Sequence, residues 1–201
     1  MPPMPRTVDR DEQRRRVGTA LLRLVAERGL DEVSVRTVAA AAGCSSGAVQ
    51  KYFRTKEEML AFAAELAGER VERRMAGVDT ALPPRRALRD LVLTTLPVDA
   101  ERRAEAVAQL AFAVHAAHHP RLAEIRRRID RDIRHALAAW LESTGYATGA
   151  VPVADAVIAL SDGLALRMLY SPGEQARLLA ALDRALDDLI PDPGTDRPPR
   201  A

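Results

Sequence analysis

Apolar residues recur along this chain at the three- and four-residue spacing of amphipathic helices. The clearest early example lies within residues 10–28, where Val17, Leu21, Leu24 and Val25 would share one buried helical face. Alanine and leucine dominate the apolar positions and aromatic residues make up only 3% of the chain, a balance that favours packed helices over sheets. We therefore predict an all-α protein of about nine helices.

Glycine and serine mark the ends of the first two predicted helices. Gly29 is expected to end the first helix in the left-handed conformation that glycine tolerates. Ser34 can cap a second helix, residues 35–42, which stops at Gly43.

Serine and threonine caps introduce the next two helices. Ser45 or Ser46 can cap a third helix that runs to about residue 53. Thr55 and Glu58 have the spacing of a capping box and would open a fourth helix that reaches about residue 75. The remaining predicted helices span about residues 84–96, 99–117, 120–142, 153–170 and 174–190.

Positive charge is concentrated in the N-terminal part of the chain. Residues 1–56 carry 11 Lys/Arg against 6 Asp/Glu, whereas residues 57–201 carry 19 against 22. The only two lysines, Lys51 and Lys56, both lie in the basic part, although chance in an arginine-rich chain would also explain their pairing. A basic module beside a mildly acidic body favours a polyanionic partner such as DNA.

The chain lacks the sequence features of a secreted or membrane protein. No apolar run reaches the roughly 18 residues that a membrane span requires. The proline- and arginine-rich stretch 1–16 is followed by no apolar segment of the kind found in secretory signals. The single cysteine, Cys44, excludes an internal disulfide, and we expect it to pack in an apolar position rather than to act as a redox sensor. We therefore expect a cytoplasmic protein with no membrane partner.

The spacing Ala39-x3-Gly43-x5-Val49 is typical of a helix-turn-helix. A small residue lets the two helices cross closely, a glycine supplies the positive φ of the turn, and an apolar residue on the second helix locks the pair. An ordinary helical hairpin is the alternative interpretation of this pattern alone.

The run VSVRTVAAAAGCSSGAVQKYFRTKEEML, residues 33–60, resembles the DNA-binding signature of the tetracycline-repressor (TetR) family. The resemblance covers about residues 10–60: a first helix ending in glycine, the helix-turn-helix, Tyr52-Phe53, and then Thr55 to Glu58. It departs at Gln50, where the family often has an aromatic residue. Beyond residue 60 only the all-helical layout agrees.

The resemblance implies a DNA-binding transcriptional regulator, a repressor that binds a palindromic double-stranded operator as a homodimer and is released by a small-molecule effector. The implied architecture is an N-terminal three-helix DNA-binding domain and a C-terminal helical domain for ligand binding and dimerisation. The predicted divisions are a disordered arm at 1–9, the DNA-binding domain at 10–56 with its helix-turn-helix at about 34–53, the effector-binding and dimerisation domain at 57–190, and a flexible tail at 191–201.

In this interpretation the third helix enters the major groove. Gln50 is the first candidate for reading a base, because its amide can both donate to and accept from an adenine edge. Tyr52 and Lys56 are candidates for phosphate contacts, whereas Phe53 should pack inward. The complete set of predicted DNA-binding residues is Arg36, Thr37, Ser45, Ser46, Gly47, Ala48, Gln50, Lys51, Tyr52 and Lys56.

The last two long helices resemble the dimerising helices of the family. The helix at about 153–170 is apolar nearly all round and must be covered on every side, either by a second subunit or by a purely intramolecular core. The predicted dimer residues are Val157, Leu160, Leu164, Met168, Leu178, Leu182 and Leu186. Candidates for the effector pocket, chosen as polar or aromatic members of apolar faces, are Phe62, Gln109, Phe112, His115 and Trp140.

Two rival functions remain open at this point. A metalloprotein could use His115, His118 and His119, but no acidic cluster or additional cysteine completes a site. A helical adaptor without a DNA role would leave the charge asymmetry and the Gly43 turn unexplained. No catalytic motif and no phosphate-binding glycine loop is found, so we predict no enzyme activity, no catalytic residues, no bound metal and no cofactor.

Overall fold

The structure, a computed structural model, describes residues 6–145 and 149–191, with side chains described from Arg10 onward. Nine α-helices and no strand occur within these ranges. They are α1 (Arg6–Arg28), α2 (Val35–Ala42), α3 (Ser46–Tyr52), α4 (Lys56–Met75), α5 (Pro84–Leu93), α6 (Ala100–Ala116), α7 (Pro120–Ser143), α8 (Ala150–Tyr170) and α9 (Gln175–Leu189). A short 3₁₀ turn, Pro172–Glu174, precedes α9. The all-α prediction is therefore confirmed.

Most predicted helix bounds agree with the structure, and three do not. Helix α5 ends at Leu93 instead of at about residue 96. Helix α1 begins at Arg6, so residues 6–9 of the predicted arm are helical. Helix α8 begins at Ala150 instead of residue 153, because Pro152 stands in the first turn, where a backbone N–H has no intrahelical acceptor. Residues 1–5 of the arm and 192–201 of the tail lie outside the described residues.

The chain forms two compact units. Among the described residues, the first contains those up to Glu72 together with Asp99–Arg128, and the second contains Arg73–Val98 and those from Ile129 onward. The predicted division between residues 56 and 57 thus falls inside the first unit, because the start of α4 packs with the helices before it. Across the described ranges, no helix combines the length and apolar character needed to cross a membrane.

The first unit packs α1 to α4 with α6 and the start of α7 around one core. The predicted face of α1 is buried in it, with Val17, Leu21 and Leu24 at most 4% exposed. Arg70 of α4 connects three helices, because its guanidinium donates to Thr19 of α1 and lies 3.5 Å from the buried carboxylate of Glu105 on α6. Breaking such a buried pair leaves an uncompensated charge, so these contacts hold α4 and α6 against α1.

The second unit packs α5, the later part of α7, α8 and α9 around its own core. Polar links at its margin fix the helices relative to one another: Arg89 of α5 donates to Asp183 of α9 at 2.6 Å, and the hydroxyls of Thr95 and Ser161 are 2.7 Å apart. Arg134 of α7 also pairs with Asp155 of α8.

The structure places most of the predicted dimer residues inside the second unit. Six of the seven are buried inside the second unit itself, with exposures of 0 to 5%, and the seventh, Leu160, is half-buried. The buried six are Val157, Leu164, Met168, Leu178, Leu182 and Leu186. Apolar periodicity indicates that a face is covered but does not say by which chain, and here the same chain covers it.

Candidate nucleic-acid interface

Helix α2 is closed at both ends by its own local chemistry. The Ser34 hydroxyl accepts from the Thr37 N–H at 3.1 Å, and the Thr37 hydroxyl accepts from the Ser34 N–H at 2.9 Å, a reciprocal capping box. At the other end Gly43 is left-handed, with φ of 64°, and Cys44 N–H donates to the Ala39 carbonyl at 3.0 Å. The chain is thereby turned sharply into α3.

The three residues of the helix-turn-helix spacing have the predicted roles. Ala39 is 3% exposed and Val49 is fully buried, so the two helices cross closely and lock through these side chains. Gly43 supplies the positive φ of the turn. Cys44 is half-buried and packs against the same core, in agreement with its predicted apolar position.

Gly43 is the residue of this turn that an ordinary side chain cannot replace without strain. We expect Gly43→Ala to lower the free energy of unfolding by about 1–2 kcal/mol, because an L-residue is disfavoured in the left-handed region. Urea unfolding monitored by circular dichroism measures this. Gly68→Ala is the matched control, because Gly68 is helical with open space at its Cβ, and it should stabilise by about 0.5–1 kcal/mol. Equal effects of the two variants would contradict the assigned turn.

Helix α3 is short but capped at both ends. The Ser45 hydroxyl accepts from the Ala48 N–H at 3.1 Å, and the N–H of Phe53, the C-terminal cap residue, donates to the Val49 carbonyl at 2.9 Å. With Val49 and Phe53 turned into the core, the opposite side of the helix faces solvent. The exposed residues there are Ser46, Gly47, Gln50 and Lys51.

The predicted DNA-binding residues differ in their solvent exposure and in whether their polar groups already make hydrogen bonds within the fold. Arg36, Ser45, Ser46, Gly47, Gln50 and Lys51 are exposed, whereas Thr37, Ala48, Tyr52 and Lys56 are half-buried. The Thr37 hydroxyl donates to the Glu32 carbonyl at 2.7 Å. The Lys56 ammonium donates to the Leu30 carbonyl at 3.0 Å, which ties the start of α4 to the connection between α1 and α2 and leaves two further N–H groups.

The start of α4 departs from the predicted capping box by one residue. The Thr55 hydroxyl accepts from the Glu58 N–H at 3.1 Å as expected, but the Glu58 carboxylate accepts from the N–H of Arg54, at 2.8 Å, instead of from Thr55. The neighbouring Glu57 has a pKa below its usual value, because it accepts hydrogen bonds from its own backbone N–H and from Thr55. These two hydrogen bonds fix the backbone of residues 54–58, where α4 begins.

Two family models match this chain over its two ends. Residues 19–62 match bacterial regulatory proteins of the tetR family, and residues 84–191 match the C-terminal part of BetI-type transcriptional repressors. The second match alone covers more than half of the 201 residues. The chain belongs to the TetR family.

Individual relatives of this TetR-family regulator agree with that assignment. It is 31% identical over 173 residues to the HTH-type transcriptional regulator PksA of Bacillus subtilis (strain 168), covering 84% of each chain. It is 28% identical over 168 residues to the HTH-type transcriptional regulator BetI of Rhizobium meliloti (strain 1021), covering 82% of this chain and 81% of that one. The crystal structure of a transcriptional regulator from Rhodococcus sp. Rha1 matches with a TM-score of 0.82 and 40% identity over 88% of this chain and 95% of that one.

Transcriptional regulation and DNA binding follow from family membership, and the family consists of regulators rather than enzymes. No group of three or more His, Cys, Asp or Glu side chains that could hold a metal ion occurs within the described residues. Of the histidines considered for a metal, His115 and His119 stack with ring centroids 4.0 Å apart.

An aromatic pair behind α3 was not singled out by the sequence. The rings of Phe53 and Phe62 have centroids 5.4 Å apart, and the guanidinium carbon of Arg14 lies 4.2 Å from the Phe62 centroid. Gly18 makes room for this arrangement, because a Cβ there would lie 2.7 Å from Phe62 Cε1. The burial of Phe53 was predicted, but the partnership with Arg14 depends on a contact between α1 and α4 that no local pattern reveals.

A cavity of about 350 Å³ adjoins this aromatic pair in the first unit. Arg14, Glu57, Glu58, Phe62, Glu65 and Arg121 line it, with Leu122 and Ile125 supplying apolar surface. This volume lies in the range of small-ligand sites.

The predicted effector-pocket residues are not brought together as one set. Phe62 lines the cavity, Phe112 is 3% exposed in the first core, and the Gln109 amide accepts from Arg126. His115 Nε2 is buried without a hydrogen-bond partner among the described residues, and burial of the imidazole lowers the pKa of His115. Trp140 instead packs against the core of the second unit. Periodicity identified these five as inward-facing but could not say which core each one joins.

Proposed function

We propose that this regulator binds a palindromic double-stranded DNA operator as a homodimer and is released by a small-molecule effector. The observation that carries the proposal is the exposed side of α3, where Ser46, Gly47, Gln50 and Lys51 project from a helix that is capped at both ends and locked by a buried Val49. A rigid helix with small residues beside polar ones can enter a major groove and present an amide to the bases.

Charge supports a nucleic-acid role for the first helices. Residues 1–56 carry a formal net charge of +5, from 11 Lys/Arg and 6 Asp/Glu. Arg36 and Lys51 are exposed there, and neither is engaged in an ion pair within the described part of the chain. Such side chains can contact phosphates without giving up a contact of the fold, and the affinity they supply falls with salt.

The outer side of α8 is the surface we assign to the second subunit. Val151, Leu166 and Tyr170 are 46%, 47% and 65% exposed, and the small residues Ala159 and Gly163 share that side at helical spacing. Exposed large apolar residues on one helix side are typical of interaction surfaces. A two-fold dimer would present two copies of α3 to half-sites about one helical turn apart.

Adjacent residues on α3 separate base reading from phosphate binding. We expect Gln50→Ala to relax preference at one base pair of each half-site by about 1–3 kcal/mol. Lys51→Ala should instead weaken binding to every sequence alike and lower the salt slope by about one unit per subunit. Gel shifts with DNA from upstream of the regulator's gene, single-base variants of it, and several salt concentrations measure both effects.

The pair also tests the proposed function. Both side chains are exposed and next to each other, so each variant controls for any general disturbance of α3. Uniform loss in both variants would remove Gln50 from base reading. No loss in either variant would show that α3 does not meet DNA, and the proposed docking would be wrong.

A further inference from the structure

We propose that the cavity between α1, α4 and the start of α7 in the first unit binds a planar organic cation, such as an amidinium or a guanidinium, through Phe62 and the surrounding carboxylates. This inference rests on the proposed effector response and gives that effector a site and a chemical class.

The charges around the cavity favour a cation. Three carboxylates, Glu57, Glu58 and Glu65, line it against two guanidinium groups, Arg14 and Arg121. Glu65 makes no ion pair with any described residue, and hydrogen bonds from its own backbone and from Thr55 hold the pKa of Glu57 low, so that this carboxylate is charged. Among the lining residues the carboxylates outnumber the guanidinium groups by one, and a cation beside Glu65 would give this carboxylate the ion-pair partner that the fold does not supply.

The aromatic surface of the cavity already accommodates a planar cation. The Arg14 guanidinium lies over the Phe62 ring at 4.2 Å and is 5.4 Å from the centroid of Phe53. This is the geometry of a cation on an aromatic face. Arg14 is thus an internal competitor that occupies the place of a ligand cation.

Arg14 is also imperfectly satisfied in that position. Its Nε is buried, and no hydrogen-bond partner for it exists within the described ranges. A buried donor without a partner has lost its hydration without gaining a hydrogen bond, which lowers the cost of displacing Arg14 from Phe62 into solvent. The cavity volume of about 350 Å³ and the apolar side chains of Leu122 and Ile125 leave room for a small organic body attached to the cation.

The same contacts connect the cavity to α3. The ring of Phe62 packs against the ring of Phe53, which is the C-terminal cap residue of α3. On another side, Phe62 lies close to the backbone of Gly18. A ligand that displaces Arg14 from Phe62 changes the packing of Phe53. It thereby changes the position of α3, the helix proposed to read DNA. Reciprocity requires DNA and ligand to weaken each other by the same factor.

Binding is tested by isothermal titration of the full chain with benzamidinium and with benzoate, which have nearly the same shape and opposite charge. We expect benzamidinium to bind and benzoate to bind at least about tenfold more weakly. Glu65→Gln should weaken benzamidinium binding about two- to fivefold, as for an exposed ion pair. Glu72→Gln, an exposed glutamate on the same helix outside the cavity, should leave it unchanged.

Removing the internal competitor provides the sharpest arm of the experiment. Arg14→Met keeps an apolar chain against Phe62 but removes the guanidinium, and should tighten benzamidinium binding about three- to thirtyfold. Circular dichroism confirms that each variant is folded. Absence of benzamidinium binding, equal binding of benzoate, or weaker binding by folded Arg14→Met would each overturn the inference.

Gel shifts on the same samples separate this inference from the proposed function. Wild-type protein that binds its operator but not benzamidinium would overturn the cation site and leave operator binding intact. Protein that binds benzamidinium but no upstream DNA would overturn the proposed function and the effector role, while the cation site would stand. The result that supports both proposals is an operator affinity of the wild-type protein that falls when benzamidinium is added. In Arg14→Met the same fall should occur at lower benzamidinium concentrations.

Discussion

Replacing Phe53 with alanine should lower the free energy of unfolding by about 3–5 kcal/mol, the cost typical of deleting a buried phenyl ring. Phe53 is 1% exposed, caps α3, and packs on Phe62 within the first core. Because small domains are stable by only about 5–15 kcal/mol, this single change would remove a large share of the stability. Urea unfolding followed by the far-ultraviolet circular dichroism of the helices measures the loss in free energy of unfolding.

Two further variants control this measurement. Phe53→Leu keeps most of the apolar volume and should cost clearly less than the alanine variant. Val114→Ala removes a side chain of α6 that is 68% exposed and should change stability by less than about 0.5 kcal/mol. A loss of under about 1 kcal/mol for Phe53→Ala would contradict the assignment of this ring to the core.

Leu166→Glu should separate the proposed dimer and reduce operator affinity by at least about a hundredfold. Leu166 is 47% exposed in a single chain, so the charge is tolerated in the monomer, but in the proposed interface it would be buried without a partner. Analytical ultracentrifugation measures the association, and gel shifts measure the operator affinity.

The matched control places the same change on another exposed apolar residue. Val114→Glu, on α6 of the first unit, should leave both association and operator affinity unchanged. If Leu166→Glu remained dimeric, or if a wild-type monomer protected a single unrepeated half-site in footprinting, the proposed assembly through α8 would be wrong.

The helix-turn-helix was predictable because its signals are local. Ser34 and Gly43 stand at the two ends of α2, and the structure gives this helix the predicted bounds, Val35–Ala42. Serine stabilises a helix start through its own hydroxyl and glycine accepts the left-handed turn, so neither signal depends on distant residues. The spacing to Val49 then fixes which side of α3 is buried.

Helix starts without such caps were less predictable. Helix α8 begins after Gly149, which has φ of 93° and makes no side-chain cap. The predicted helix began at residue 153, after Pro152, although proline is compatible with a first helical turn. Helix α1 begins at Arg6 in a stretch that has no apolar periodicity to mark it.

Tertiary partnership could not be predicted from one sequence. Leu178 and Leu182 were correctly expected to be covered, but the covering helices belong to the same chain. Trp140 and Phe112 were both expected to face inward, and they join different cores. Apolar periodicity predicts that a side chain is buried, but it does not identify the residues that the side chain packs against.

The closed second core has a consequence for how the regulator would respond to its own abundance. Leu182 and Leu186 have no exposed surface in a single chain, so a second subunit is not needed to cover them. Under the proposed dimeric function, the number of operator-competent pairs would then rise with the square of chain number when chains are scarce. A small change in synthesis of the protein would therefore produce a larger relative change in promoter occupancy.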